Sequence, residues 1–324
     1  MSIMQITFKD VGQGDSIVIE WTDSGSAKVG IIDCKRRQKS NPVIDHIKNK
    51  GYKEIEFIIL SHPHSDHYSG FEELLDFIEE NMIIVHRFGN TLKEIGNGYW
   101  EWFEVSSEDT RQLAEIVRKA DRLRNEVGLI KKYFYVFEDW NISLSPTIEI
   151  RSISPSHEEI QTYQQSVKYD AIENKKQASK AANYLSSVFY IKKDDHNILL
   201  TSDAEKETFA RIDNEKRFAG IQFVLCQAPH HGSYNNYHEL FWDNLPTPAN
   251  KSAVFSSGLN EQYKHPHLVT IKSFEKNGYS IHPTNIVYGM QEYVDELNKK
   301  AMILDTISEI DEENIVAGDK EFSF

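Results

Sequence analysis

The chain carries 13 histidines, and seven of them fall in residues 62–67, 230–231 and 265–267. The densest stretch is Ser61-His62-Pro63-His64-Ser65-Asp66-His67, where His62, His64, Asp66 and His67 occupy six positions. Imidazole nitrogens mixed with carboxylate oxygens suit Zn²⁺, Mn²⁺ or Fe²⁺, and in a loop they can converge on one point. A lone loop histidine is usually just solvated, so the repetition His-x-His-x-Asp-His is what points to a metal. A second stretch, Ile198-Leu199-Leu200-Thr201-Ser202-Asp203, ends an apolar run in a carboxylate. By itself Asp203 would be a turn former or a helix cap. Beside the first stretch it is the bridge that two neighbouring cations need. The third, Ala228-Pro229-His230-His231-Gly232-Ser233, pairs two histidines before a Gly-Ser turn, which suits one metal ligand and one substrate contact.

Each stretch follows a short apolar run that reads as a buried strand: residues 56–60, 197–201 and 221–226. Further strands are expected over 3–8, 16–21, 28–33, 186–192 and 252–256, between turn residues. Helical spacing predicts helices over 42–49, closed by Gly51, over 71–80, and near 204–218, 237–244 and 268–277. Strand–loop–helix alternation implies a layered α/β domain. Two stretches break the pattern. Residues 90–145 and 157–182 read as helical insertions, with an exposed charged helix over 110–126 behind a capping pair, Ser106 and Asp109, and a polar helix over 157–182. One domain is expected over 1–290, followed by an acidic extension, 291–324, as a surface helix or frayed tail.

With 324 residues, 40% of them hydrophobic, the chain can build a substantial core. Its 36 Lys and Arg against 50 Asp and Glu leave a net charge of −14, which excludes the generally basic surface of a non-specific nucleic-acid binder. A nucleic-acid substrate would need a local positive patch. Lys35-Arg36-Arg37, helped by lysine-bearing helices, offers one as a phosphate clamp, against the alternative of a solvated charged loop. No apolar run nears the ~20 residues that span a bilayer. Cys34 and Cys226 stand in no metal or redox spacing, and the N-terminus has no cationic, apolar leader. A soluble cytoplasmic protein without membrane contact is expected.

Taken in order, these motifs resemble the metallo-β-lactamase fold superfamily. The resemblance sharpens at Asp10-Val11-Gly12-Gln13-Gly14-Asp15-Ser16, residues 183–187, His230-His231-Gly232-Ser233, Ser257-Gly258-Leu259-Asn260 and Tyr263-Lys264-His265-Pro266. There the chain is similar to the hydrolase domain of the DNA-uptake protein ComEC and its soluble, stand-alone relatives, such as phosphorylcholine esterase, over roughly residues 3–288. The resemblance implies an αββα sandwich with a two-metal site at one edge of the sheets. Carried over, His62 and His64 would bind the first metal. Asp66, His67 and one of His230 or His231 would bind the second, with His231 favoured and His230 facing the substrate, and Asp203 would bridge. Asp15 and Asp33 would be supporting carboxylates, and Asn260 and His265 would lie in a late loop over the site. The implied cofactors are two divalent ions, zinc first and manganese as the alternative. The chain departs from the wider superfamily in having no histidine among 183–187, which leaves the first site to water or Asn183, and in Cys34-Lys35, where relatives usually have glycines.

Two such cations would lower the pKa of a shared water and neutralise a phosphoryl oxygen, so that metal-bound hydroxide attacks a phosphodiester. Asp66 would take the water's proton or orient the nucleophile, and His230, Lys264 or His265 would stabilise charge developing on the phosphoryl group. The function expected is therefore a phosphodiesterase or nuclease acting on DNA or RNA. The alternatives are a small-molecule phosphodiester or ester hydrolase, and a catalytically weak metal-binding scaffold whose helical insertions and tail meet a protein partner from the same system.

Overall fold

Alternation within the early strands decides the layering. In the computed structural model, which describes residues 3–91, 107–166, 180–246, 248–304 and 315–324, Ile17, Ile19 and Ile32 face one side of β2 (Ile17–Asp23) and β3 (Ser26–Ile32), while Val18, Val29 and Ile31 face the other. Successive side chains of a strand leave opposite faces, so two cores are built at once. The first set joins Ile6, Phe57 and Ile59, and Ile150, Phe189, Ile191 and Leu200 from the second half of the chain, in a core between two sheets. The second set packs beneath helices Pro42–Lys50, Phe71–Glu80 and Ser107–Arg122 through Val43, Ile47, Leu74, Ile78, Leu113 and Ile116. A third core lies outside the other sheet. There Phe209, Trp242, Ile271 and Phe274, from helices Lys206–Asn214, Glu239–Asn244 and Leu268–Lys276, cover Leu199, Cys226 and Phe255. The result is helix, sheet, sheet, helix: the αββα sandwich expected.

The first sheet contains β1 (Met4–Phe8), β2, β3, β4 (Glu54–Ile55), β5 (Phe57–Ile59), β6 (Ile84–Asn90), β7 (Ile130–Tyr135) and β15 (Lys320–Ser323). The second contains β8 (Asn141–Ser145), β9 (Ile148–Ser154), β10 (Val188–Lys193), β11 (His196–Leu200), β12 (Leu225–Gln227), β13 (Lys251–Phe255) and β14 (Tyr279–Pro283). Each is antiparallel on one side and parallel on the other. Strands β15-β1-β2-β3 and β8-β9-β10-β11 are antiparallel runs, whereas β3-β5-β6 and β11-β12-β13-β14 are parallel. Open parallel sheets bind ligands beyond the carboxyl ends of their strands. That is where the histidine stretches fall.

Three expectations need correction. Residues 90–145 do not form a purely helical insertion, because they supply β7 and β8. Both are edge strands, and the outward lysines Lys131 and Lys132 dilute the apolar pattern of β7. The helix Ser107–Arg122 is not simply exposed, since Leu113, Ile116 and Ala120 are buried. The acidic extension does not end as a tail. Helix Gly289–Leu304 packs on Leu268–Lys276, and β15 pairs with β1, where Met4 and Phe324 exchange backbone hydrogen bonds of 2.9 and 2.8 Å. The polar helix expected over 157–182 is present as His157–Ser166 and resumes as a helical turn at 180–182, while residues 167–179 lie outside the described residues, as does Ser106 of the capping pair. Among the described residues no helix is long and apolar enough to cross a membrane.

Candidate metal centre

Loops after β3, β5, β11, β12 and β13 meet at one edge of the sandwich. At five points their backbone takes the left-handed conformation that residues with a side chain rarely adopt: Asp33 (φ 61°), Ser202 (φ 47°), His230 (φ 45°), His231 (φ 58°) and Lys264 (φ 55°). Such strain persists where the surroundings over-determine it, and it gathers at functional sites. Gly14 extends the same device. At φ +131° its Cα lies so near the metal loop that a Cβ would sit 2.1 Å from the Asp66 carbonyl oxygen. Gly258 is equally close to the loop 10–16, with a built Cβ 2.3 Å from the Gln13 nitrogen. Gly14 thus meets the His62–His67 loop, and Gly258 meets the loop 10–16, backbone to backbone.

Asp203 stands at the centre. Its Oδ1 lies 3.4 Å from His67 Nε2 and 3.4 Å from His231 Nε2, while its Oδ2 lies 3.4 Å from His230 Nε2 and 3.6 Å from His62 Nε2. Asp66 Oδ2 is 3.3 Å from His231 Nε2, and His62 Nε2 is 3.1 Å from His64 Nδ1. Two groups of ligand atoms result, Asp66–His67–Asp203–His231 and His62–His64–Asp203, with the atoms of each inside 4.8 Å. Tetrahedral ligands about 2.0–2.2 Å from a zinc ion stand roughly 3.3–3.6 Å from one another. Moreover, His67 Nε2, His231 Nε2 and Asp203 Oδ1 are all buried with no hydrogen bond of their own. Each such atom costs about 1–3 kcal/mol, and one shared cation would satisfy all three. The residues present fit a divalent ion.

A second layer aims the ligands. His67 Nδ1 donates to Asp33 Oδ2 at 2.7 Å and His231 Nδ1 to the Ser256 carbonyl at 2.8 Å, so both Nε2 atoms face Asp203. Asp33 also accepts from the Ser61 amide (2.7 Å) and hydroxyl (2.6 Å). The Ser61 and Ser202 hydroxyls lie 2.8 Å apart and each 3.2 Å from His62 Nδ1. Asp15 accepts from Gln227 Nε2 at 2.7 Å, and Gln227 Oε1 in turn takes the Thr201 and Ser202 amides at 3.0 Å. Asp15 and Asp33 therefore stand behind the candidate ligands. Burial works against charge on His67 and His231, yet Asp203 with Asp33, and Asp203 with Asp66, outweigh it: His67 is lifted well above its usual range and His231 to about 10. The carboxylate field that raises these imidazoles is the field that draws a cation. Burial, then His67, pulls His62 the other way, and burial with His230 and His231 takes His265 down to about 3. Those two rings are neutral near pH 7.

The structure brings together His62, His64, Asp66, His67, Asp203, His230 and His231. His231 belongs to the Asp66–His67 group, and His230 lies across Asp203 beside His62. The Asn183 amide reaches His230 Nδ1 at 3.4 Å and donates to Glu205 at 2.9 Å, so it backs His230 instead of joining His62 and His64. In that tautomer His230 Nε2 carries the proton and is a donor. Asn260 organises its loop: its side chain accepts from the Gln262 and Tyr263 amides at 3.1 and 3.3 Å, and its carbonyl from Lys264 at 2.8 Å. Lys264 is exposed, and the buried His265 ring lies 5.3 Å from that of His230. The phosphate clamp is not formed. Arg36 pairs with Glu73 (3.1 Å), Arg37 with Asp10 (2.6 Å), and the Lys35 ammonium donates to the Val11 carbonyl (2.9 Å). On the helix Ser107–Arg122, Lys119 and Arg122 pair with Asp76 and Glu79. Sequence reasoning missed Ser61, Gln227 and Glu205. Ser61 and Gln227 directly precede or end the recognised stretches, whereas Glu205, pushed up to about 7 by burial, bears no local mark.

No known protein-family profile matches the chain. ComE operon protein 3 of Bacillus subtilis (strain 168) is 23% identical over 294 residues, which are 86% of this chain and 31% of that protein. The chain thus spans about a third of the length of the curated relative it matches. Among solved structures, the metallo-beta-lactamase fold protein YhfI from Bacillus subtilis superposes with a TM-score of 0.48 at 10% identity, covering 87% of this chain and 96% of that one. Unliganded yeast PDE1 gives a TM-score of 0.48 at 8% identity, covering 87% and 97%.

Proposed function

We propose that this chain is a divalent-metal-dependent hydrolase that cleaves phosphodiesters in DNA or RNA, with zinc or manganese as the working ion. The observation that carries this reading is Asp203, whose two carboxylate oxygens face two separate sets of histidines. The similarity to ComE operon protein 3 supports it. Divalent cations held by Asp66, His67, Asp203 and His231 and by His62, His64 and Asp203 would supply Lewis-acid polarisation of a phosphoryl oxygen and a water of lowered pKa. The chain's own groups do the rest. Asp33 and the Ser256 carbonyl lock the His67 and His231 rings in one orientation. Asp66, whose Oδ2 stands 3.3 Å from His231 Nε2, is the carboxylate placed to accept a proton from water or to orient the nucleophile. His230 presents Nε2–H toward the space beside Asp203, where it can donate to a phosphoryl oxygen. Lys264, exposed in the same loop as His265, is the cation assigned to meet the polyanion.

A second reading, hydrolysis of a small phosphodiester, is favoured by one observation: Lys35, Arg36, Arg37, Lys119 and Arg122 are all engaged within the protein. Cleavage of labelled single- and double-stranded DNA and RNA, beside bis-p-nitrophenyl phosphate, separates the two. Nuclease activity that is lost with chelator, restored by Mn²⁺ or Zn²⁺ and steeply weakened by salt is the expected result. Turnover of the small diester alone, indifferent to salt, favours the second reading. No turnover with any metal overturns both.

A further inference from the structure

We infer that Tyr263 is the platform on which a flat ring of the substrate stacks, so that the scissile phosphodiester is one flanked by a nucleobase. The inference rests on the phosphodiesterase reading above and names the substrate class of the same site. A line of rings runs from water to the metal centre. Tyr263 stacks on His265 at 5.9 Å with 25° between planes, His265 meets His230 edge-on at 5.3 Å, and His230 Nε2 is 3.4 Å from Asp203. The outer member is 52% exposed although its inner neighbour is 4% exposed. An exposed tyrosine alone is ordinary. This one is held in place by its loop: Asn260 accepts the Gln262 and Tyr263 amides, the Tyr288 hydroxyl holds the Asn260 amide at 2.8 Å, and Lys264 is turned into the left-handed region. Burial of His265 makes the second ring a fixed support for the first. A pre-ordered aromatic face beside a phosphate-handling centre takes any base, because every base has a π-face, and leaves base identity unread. It also gives a net-acidic protein a means of holding a nucleotidyl group that does not depend on a basic track.

The test compares two esters with the same leaving group: thymidine 5′-(p-nitrophenyl phosphate), which carries a base, and methyl p-nitrophenyl phosphate, which does not. Tyr263→Ala should raise KM for the thymidine ester by about 5- to 150-fold, the range of base–aromatic stacking, with kcat and the methyl ester nearly unchanged. Tyr263→Trp should restore the low KM. Equal losses on both esters, or no loss on either, overturn the inference. Binding is read separately, by titrating thymidine 5′-monophosphate and methyl phosphate into the full chain and its Tyr263→Ala variant. If neither ester turns over, the hydrolase reading fails, but tighter binding of the thymidine nucleotide that is lost in Tyr263→Ala still sustains the ring subsite. Equal binding of the two phosphates removes it.

Discussion

The two sides of Asp203 are built to different standards. On the side of its Oδ1, His67 and His231 each have the far ring nitrogen fixed by a strong acceptor, Asp33 at 2.7 Å and the Ser256 carbonyl at 2.8 Å, and Asp66 completes a four-residue set. On the side of its Oδ2, His62 is steadied only by two hydroxyls at 3.2 Å, and His62, His64 and Asp203 make a three-residue set with His64 half-buried. His230 is near enough to help, yet Asn183 holds its Nδ1. One group has four residues with two imidazoles aimed by strong acceptors, and the other has three. The contrast matches the usual difference between a site that retains an ion and one that leaves a position for substrate or water.

The largest effect expected is from Asp203→Ala, which removes the group shared by both sides. Metal content and turnover should both fall to background while the circular dichroism spectrum is retained; a variant that still holds two ions would break the comparison at its centre. Asp33→Ala comes next. It frees the His67 ring without touching a ligand, and metal affinity, measured by competition with a chromophoric chelator, should fall by about 10- to 100-fold. An unchanged affinity would mean that the four-residue group owes nothing to its backing layer. The smallest change in affinity is expected from His64→Ala. Stoichiometry should drop from two ions to one, and the remaining ion should bind about as tightly as before. Loss of both ions together would show that the pockets are a single cooperative unit.

Most of the ligand set was legible because its residues lie in three short runs, each launched from an apolar strand whose end could be placed within a residue or two. Helix Phe71–Glu80 was legible for a like reason, four buried positions at helical spacing. What was hidden depended on partners remote in sequence. Nothing near Arg36 announces Glu73, and nothing near Arg37 announces Asp10, so three adjacent cations looked available when tertiary pairing had already used them. Edge strands were hidden for another reason: β7, β8 and β15 each bury little more than one face, and lysine, serine or glutamate on the wet face erases the apolar run. Glu205 shares the first difficulty, since the amides that donate to it, from Asn183 and Asn236, lie on other elements.

The candidate site residues come from both sheets: His62, His64, Asp66 and His67 follow β5 of the first, and Asp203, His230 and His231 follow β11 and β12 of the second. The candidate centre therefore exists only when the two halves of the sandwich are docked face to face. An ion held across that seam binds the native chain and not its separated halves, so mass action adds to stability by about 2.7 kcal/mol for free ion at a hundredfold excess over Kd. Resistance to heat and to proteases would then rise and fall with the supply of metal, and the same atoms that handle the substrate would act as a rivet between the sheets.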